Sequence, residues 1–113
     1  MMESSIRKVG DIDVVELSGR LSLSDALESI EQAILNLIEQ GSRRMVIDVA
    51  GITAMDSAGM GMLMACSGQM EQHQGKLRIA GAQGGVARTF GVVHIDRLAP
   101  VDVDVETSCR AFE

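Results

Sequence analysis

The chain has 113 residues, a size that fits one domain, and its 46% hydrophobic and 23% charged residues supply a core without covalent staples. A formal net charge of −6, from 10 basic against 16 acidic side chains, sets the surface against a phosphate backbone, so no direct nucleic-acid partner is expected. Aromatic residues make up only 2%, with no Trp or Tyr, which argues against a base-stacking platform or an aromatic-lined cofactor pocket.

From the N-terminus, Met1–Arg7 has no apolar core of a secretory signal. The longest apolar or small run, Ala58–Cys66, is too short to span a bilayer. A cytoplasmic protein without membrane insertion is the expectation. Ile6–Val9 and Ile12–Leu17 read as two short strands around a Gly10-Asp11 turn, an antiparallel pair that Gly19 brings to an end. Leu23, Leu27, Ile30, Ile34, Leu37 and Ile38 then recur at helical spacing. Either Ser22, with Asp25 three residues on, or Ser24 alone can cap that helix, and Gly41 suits its end. Met45–Val49 is nearly continuous apolar, the signature of a strand covered on both faces. Ser57 to about His73 reads as a second helix, Leu77–Ala80 as a strand and Gly84–Phe90 as a third helix. Leu98–Val101 reads as a last strand that Pro100 keeps at an edge, and Asp104–Phe112 as a short final helix. The order ββαβαβαβα predicts a single small α/β sheet, mostly parallel, with one antiparallel edge hairpin and about four helices. No linker, repeat or low-complexity tract divides residues 1–113, so one domain is expected.

The passage Val46–Met64 carries the functional signal. It puts Asp56 and Ser57 beyond the carboxyl end of a central strand, where open α/β sheets usually meet their ligands and partners. It also puts them at a helix start, where free N–H groups and the macrodipole favour an added negative charge. A hydroxyl there is a good phosphoryl acceptor. The plainer reading is that Asp-Ser is only a helix cap. Beyond it, Leu63, Cys66 and Met70 form a stripe that can face the sheet. Met60, Met62 and Met64 cannot all point the same way. Met60, one turn from Ser57, is expected to be exposed and, with Met64, to rim the serine; polarizable Met side chains suit protein-binding surfaces. The alternative is a Met-rich core helix. Small residues at Ala58 and Gly59 would let a partner approach closely, so Gly59→Val is expected to harm binding more than folding.

The sequence resembles the STAS family, and within it the bacterial anti-sigma factor antagonists. The matching pieces are Gly19-Arg20-Leu21, Val46-Ile47-Asp48-Val49 with Gly51-Ile52, Asp56-Ser57-Ala58-Gly59-Met60-Gly61 with Leu63, and Leu77-Arg78-Ile79-Ala80-Gly81. Gly91–Leu98 fits the family's third helix and last strand, so the resemblance covers essentially the whole chain. It implies a STAS-type sheet and a non-enzymatic switch without cofactors. An anti-sigma factor that is also a serine kinase of the ATPase type would bind while the serine matching Ser57 is unmodified. Phosphorylation of that serine would release the complex, and a PP2C-type phosphatase would restore it. The partner surface so implied comprises Ser22, Asp56, Ser57, Ala58, Gly59, Met60 and Met64; many members carry Asp where this chain has Ser22. The alternative within the family is an unphosphorylated structural or sensory STAS module of a larger signalling assembly.

Other constellations carry less. A serine hydrolase would want Gly-x-Ser-x-Gly, but Met55 lies two before Ser57, and His73 and His94 have no triad context. Two histidines apart from two scattered cysteines have no metal-ligand spacing. Gly81-Ala82-Gln83-Gly84-Gly85 lacks the Lys-Ser/Thr of a P-loop and reads as a strand-to-helix turn. Cys66 reads as a small core hydrophobe and Cys109 as a packed residue on the last helix.

Overall fold

A computed structural model describes residues 2–113. Strands β1 (Glu3–Val9) and β2 (Ile12–Leu21) form the antiparallel hairpin. Gly10 takes φ 62° at the first central position of its two-residue turn, a conformation that costs glycine little. β2 does not stop at Gly19. It continues to Leu21 with register shifts against the next strand at Glu16/Ser18 and Gly19/Arg20, because the parallel neighbour supplies the pairing that local sequence does not.

Helix α1 (Asp25–Glu39) starts after Ser24, whose hydroxyl accepts from the Leu27 N–H at 3.1 Å. Ser24, not Ser22, is therefore the cap, and Leu23 lies outside the helix, 76% exposed. The buried stripe is Leu27, Ile30, Ile34 and Ile38. Gly41, at φ 108°, lets the chain turn back into β3 (Arg44–Met55). β3 extends six residues beyond the apolar run ending at Val49 and delivers the chain directly to Asp56.

Helix α2 (Ser57–Gln72), strand β4 (Lys76–Ala80), helix α3 (Gly84–Val93) and strand β5 (Val101–Asp102) complete the sheet, with helix α4 (Val105–Ala111) at the end. The strand order is β1-β2-β3-β4-β5, parallel except for the β1–β2 pair, as the element order predicts. The last strand is shorter and later than Leu98–Val101. A 3-10 turn at Ile95–Arg97 uses that part of the chain, and Pro100 accepts from Ile79 N–H through its carbonyl at the sheet edge. Gly81-Ala82-Gln83 is a strand-to-helix turn, with Gly81 at φ 83°.

The core lies mainly on one sheet face. Val15, Leu17, Met45, Ile47, Val49 and Ile79 meet Leu27, Ile30, Ile34, Ile38, Leu63, Cys66 and Met70 from α1 and α2 and Val86 and Phe90 from α3. Val14, one residue from Val15, points to the other face and joins Ile12, Val46 and Ala80 beneath Val105, Cys109 and Phe112 of the C-terminal segment. That alternation follows from the two-residue strand period. Cys66 is fully buried, and burial pushes its thiol up to about 12, as befits a core hydrophobe. No described helix is long and apolar enough to cross a membrane.

Candidate functional site

β3 ends at Met55, and the next residue turns the chain into α2. Asp56 has extended backbone, φ −106° and ψ −176°, and caps the helix. Its Oδ1 accepts from Gly59 N–H at 3.0 Å, while its Oδ2 accepts from Leu23 N–H at 3.1 Å. The Asp56 N–H donates to Leu21 O at 3.2 Å. One carboxylate thus ties the start of α2 to the β2–α1 connection. The two backbone N–H donors, Gly59 first and Leu23 second, hold the Asp56 carboxyl below the ordinary carboxylate range.

Because Asp56 makes the cap, the Ser57 hydroxyl is left out of it. Ser57 is the first helical residue and is exposed. With about 100° between successive helical residues, Ser57, Gly61, Met64 and Gly68 fall on one face, and all four are exposed. The buried arc runs through Gly59, Met60, Met62, Leu63, Cys66, Ser67 and Met70. Met60 is only 7% exposed, whereas Met64 is 41% exposed. The expectation that Met60 is the exposed methionine is therefore corrected. Helical geometry does not decide this, since Met60 stands about 60° from Ser57 and equally about 60° from Leu63, at the edge of the buried arc. Tertiary packing covers it, and Met60 belongs to the core cluster. Met64 is exposed as expected.

Gly59 also differs from expectation. A Cβ there would lie 2.2 Å from the Leu21 carbonyl oxygen and 3.0 Å from the Leu21 carbonyl carbon. Its hydrogen atom is what allows α2 to seat against the end of β2, so a branched side chain at this position strikes the fold before any partner. Ala58 is half-buried and packs on the core, and Ser22 is half-buried beside the exposed Leu23.

Met55, Asp56, Ser57, Met60, Gly61 and Met64 line one wall of a shallow depression of about 330 Å³, and Thr89 and Val93 of α3 line the other. The structure thus brings Asp56, Ser57, Met60 and Met64 to one place. Ser22 does not line it. The sequence reading missed Met55, Gly61, Thr89 and Val93 of this depression, and also Leu23, whose N–H holds Asp56. For Gly61 the signal was available in its four-residue spacing from Ser57. Thr89 and Val93 come from a separate helix that no local pattern links to Ser57. Among the described residues no group of His, Cys, Asp and Glu is arranged to hold a metal. His73 caps the end of α2, with Nδ1 2.9 Å from Gln69 O, and His94 sits in the left-handed region at φ 54°, ending α3; neither reaches the depression.

A family model described as "Mlab, STAS domain" matches residues 4–100. BtrV of Bordetella bronchiseptica, by its name a candidate anti-sigma factor antagonist, is 24% identical over 112 residues, covering 99% of this chain and 96% of BtrV. A Thermotoga maritima protein, likewise a candidate anti-sigma factor antagonist, superimposes with TM-score 0.88 at 12% identity, over 96% of this chain and 92% of that one. The phosphorylated form of the Bacillus cell fate determinant SpoIIAA superimposes with TM-score 0.78 at 19% identity, over 98% of this chain and 100% of that one. The family model takes in the sheet except β5 and the first residue of β1, the strand-end site included, and the chain belongs to the STAS domain family.

Proposed function

We propose that this STAS domain is an anti-sigma factor antagonist that acts as a phosphorylation-controlled partner switch. It binds an anti-sigma factor of the ATPase-type serine kinase class while Ser57 is unmodified and releases it once Ser57 is phosphorylated, and a PP2C-type phosphatase resets it. The observation that carries this reading is the division of labour at the start of α2. Asp56 supplies the cap, so the exposed Ser57 hydroxyl is available to a kinase without dismantling the helix.

The physical consequences agree. A phosphate on the first helical residue adds about −1.5 to −2 charge at neutral pH, next to the Asp56 carboxylate in a chain already at −6. The helix N-terminus tolerates that charge in the free protein. A partner seated on Met64, Gly61 and Val93 would have to desolvate it, which costs several kcal/mol in an otherwise apolar contact. Since about 1.4 kcal/mol is tenfold in affinity, one phosphate suffices as a switch.

The relative names support the anti-sigma side of this reading. The experiment is incubation of the chain with the serine kinase of its own regulatory locus and ATP, followed by peptide mapping and a binding titration of both forms. Phosphate on the peptide holding Ser57, its loss in Ser57→Ala and weaker binding of the modified chain are expected. Label retained in full by Ser57→Ala overturns the reading. A tight complex in which Ser57 is never modified would instead identify a structural STAS module of a larger assembly.

A further inference from the structure

The two edges of the sheet are built differently. β5 is two residues long, follows Pro100 and is pinned by the Arg78–Asp102 ion pair, so it offers little to an incoming strand. β1 offers seven consecutive residues, all exposed, paired to β2 in an unbroken register from Glu3↔Ser18 to Val9↔Ile12. A regular strand edge of this kind presents a row of unpaired backbone groups. Val9 and Ile12 close a two-residue hairpin and form a hydrogen-bonded pair. Glu3, Ser5, Arg7 and Val9 therefore direct their N–H and C=O groups to β2, and Ser4, Ile6 and Lys8 direct theirs outward.

We propose that β1 pairs antiparallel with β1 of a second copy, across a two-fold axis at Ser5, to join the two sheets into one. The occupant is chosen by charge. A two-fold axis normal to the sheet keeps each face continuous and pairs odd residues with odd ones. Centred on Ser5, it sets Glu3 opposite Arg7 of the second copy twice, with Ser4 opposite Ile6. Centred on Ile6, it sets Arg7 against Ser5 and Glu3 against Val9. Centred on Arg7, it opposes two guanidinium groups. Only the Ser5 register matches opposite charges, and cross-strand pairs of opposite charge favour a register while like charges oppose it. β1 itself carries one carboxylate against two cations in a chain of net charge −6. Those cations, Arg7 and Lys8, offset Glu16 and Asp13 of β2 at 3.3 Å each, so the edge does not carry the full acidity of the chain. None of its residues lines the depression beside Ser57.

Sedimentation equilibrium on the whole chain, from micromolar to millimolar concentration, tests the pairing. A reversible monomer–dimer equilibrium is expected. It should be weak, because one strand pair buries less than the roughly 1,200 Å² of a standard stable interface. Ile6→Pro removes an outward N–H while sparing the β1–β2 ladder, so it should keep the melting curve and abolish the dimer. Glu3→Arg should weaken dimerisation roughly tenfold, and Glu3→Arg combined with Arg7→Glu should regain it. On oxidation Ser5→Cys should give a covalent dimer, because residues facing each other in a non-hydrogen-bonded pair lie about 4.5 Å apart at Cα; Ser4→Cys and the unaltered chain should not. A chain that stays monomeric throughout overturns the proposal. So does a dimer that survives Ile6→Pro or that Ser5→Cys fails to trap.

Discussion

The two faces of the sheet are held by different physics. On the face of α1, α2 and α3, stability comes from a broad aliphatic and methionine core with Leu21, Ile34, Ile47, Leu63 and Met70 fully buried. On the opposite face, among the described residues, α4 and the adjoining Phe112 pack over a patch of Ile12, Val14, Val46 and Ala80. Polar contacts secure them there. Arg78 donates twice to Asp102, at 2.8 and 3.0 Å, Ser108 donates to the same carboxylate at 2.6 Å, and the Arg78 guanidinium lies 5.9 Å from the Phe112 ring centroid. The first face is robust because area adds up over many side chains. The second depends on a few groups whose pairing must stay intact. The Ser57 site stands on the robust face, at its rim, where a charge can be added or removed without reaching the core.

The sharpest way to break this comparison is on α2 itself. Met60→Glu should bury a charge in the large core and unfold the domain or cost several kcal/mol. Met64→Glu, on the exposed side of the same helix, should shift stability by no more than about 0.5 kcal/mol while abolishing partner binding. Circular dichroism melts and partner titrations of the two variants side by side decide this. Equal loss of fold in both would remove the distinction between rim and core.

Smaller effects are expected on the α4 face. Asp102→Asn should cost about 1–3 kcal/mol, since it leaves the half-buried Arg78 guanidinium without its charged partner. The loss should be local, read as faster amide exchange in α4 with the protection of α1 and α2 unchanged. Acid titration sharpens the point. The Arg78 hydrogen bonds, and then that of Ser108, hold the Asp102 carboxyl below its ordinary value of 3.8. A carboxylate depressed in the folded state contributes stability that is full above that ordinary value and is lost as pH falls through the folded one. Denaturant melts between pH 5 and pH 2 should therefore show a shallower acid decline in Asp102→Asn. A remaining slope is expected from Asp56 and Asp104, whose carboxyls are lowered chiefly by the Gly59 and Thr107 backbone N–H groups.

The smallest effect should be at the site itself. Ser57→Ala removes a hydroxyl that takes no part in the cap and should change stability by no more than about 0.5 kcal/mol. Asp56→Ala, one residue earlier, should lower the melting temperature measurably, because it frees Gly59 N–H and unties Leu23 from the start of α2. A larger loss from Ser57→Ala than from Asp56→Ala would reverse the assignment of cap and acceptor.

Much of this was legible in the chain. The apolar spacing of Leu27, Ile30, Ile34 and Ile38 marked α1, the run Met45–Val49 marked a doubly covered strand, and the element order carried the sheet topology. The motif Asp56-Ser57-Ala58-Gly59 marked the helix start that the structure displays at the carboxyl end of β3. Less was legible where the pattern offered no contrast. The first turns of α2 are apolar or small all round, so no periodicity could tell Met60 from Met64. Gly59 reads as an opening for a partner until Leu21 is placed against it.

Sequence by itself determined the helices and strands up to α3 in outline, the order in which elements enter the sheet, and that an aspartate and a serine stand together at the start of α2. Those follow from local periodicity and capping chemistry, which act over a few residues. It misplaced the last strand, where a 3-10 turn precedes Val101–Asp102. Tertiary structure alone decided that β2 continues through Gly19, that Gly59 seats on the Leu21 carbonyl, that Met60 turns inward, and that Thr89 and Val93 of α3 complete the depression beside Ser57. These depend on which distant surfaces meet, and burial is a property of the packed pair of elements rather than of either one alone.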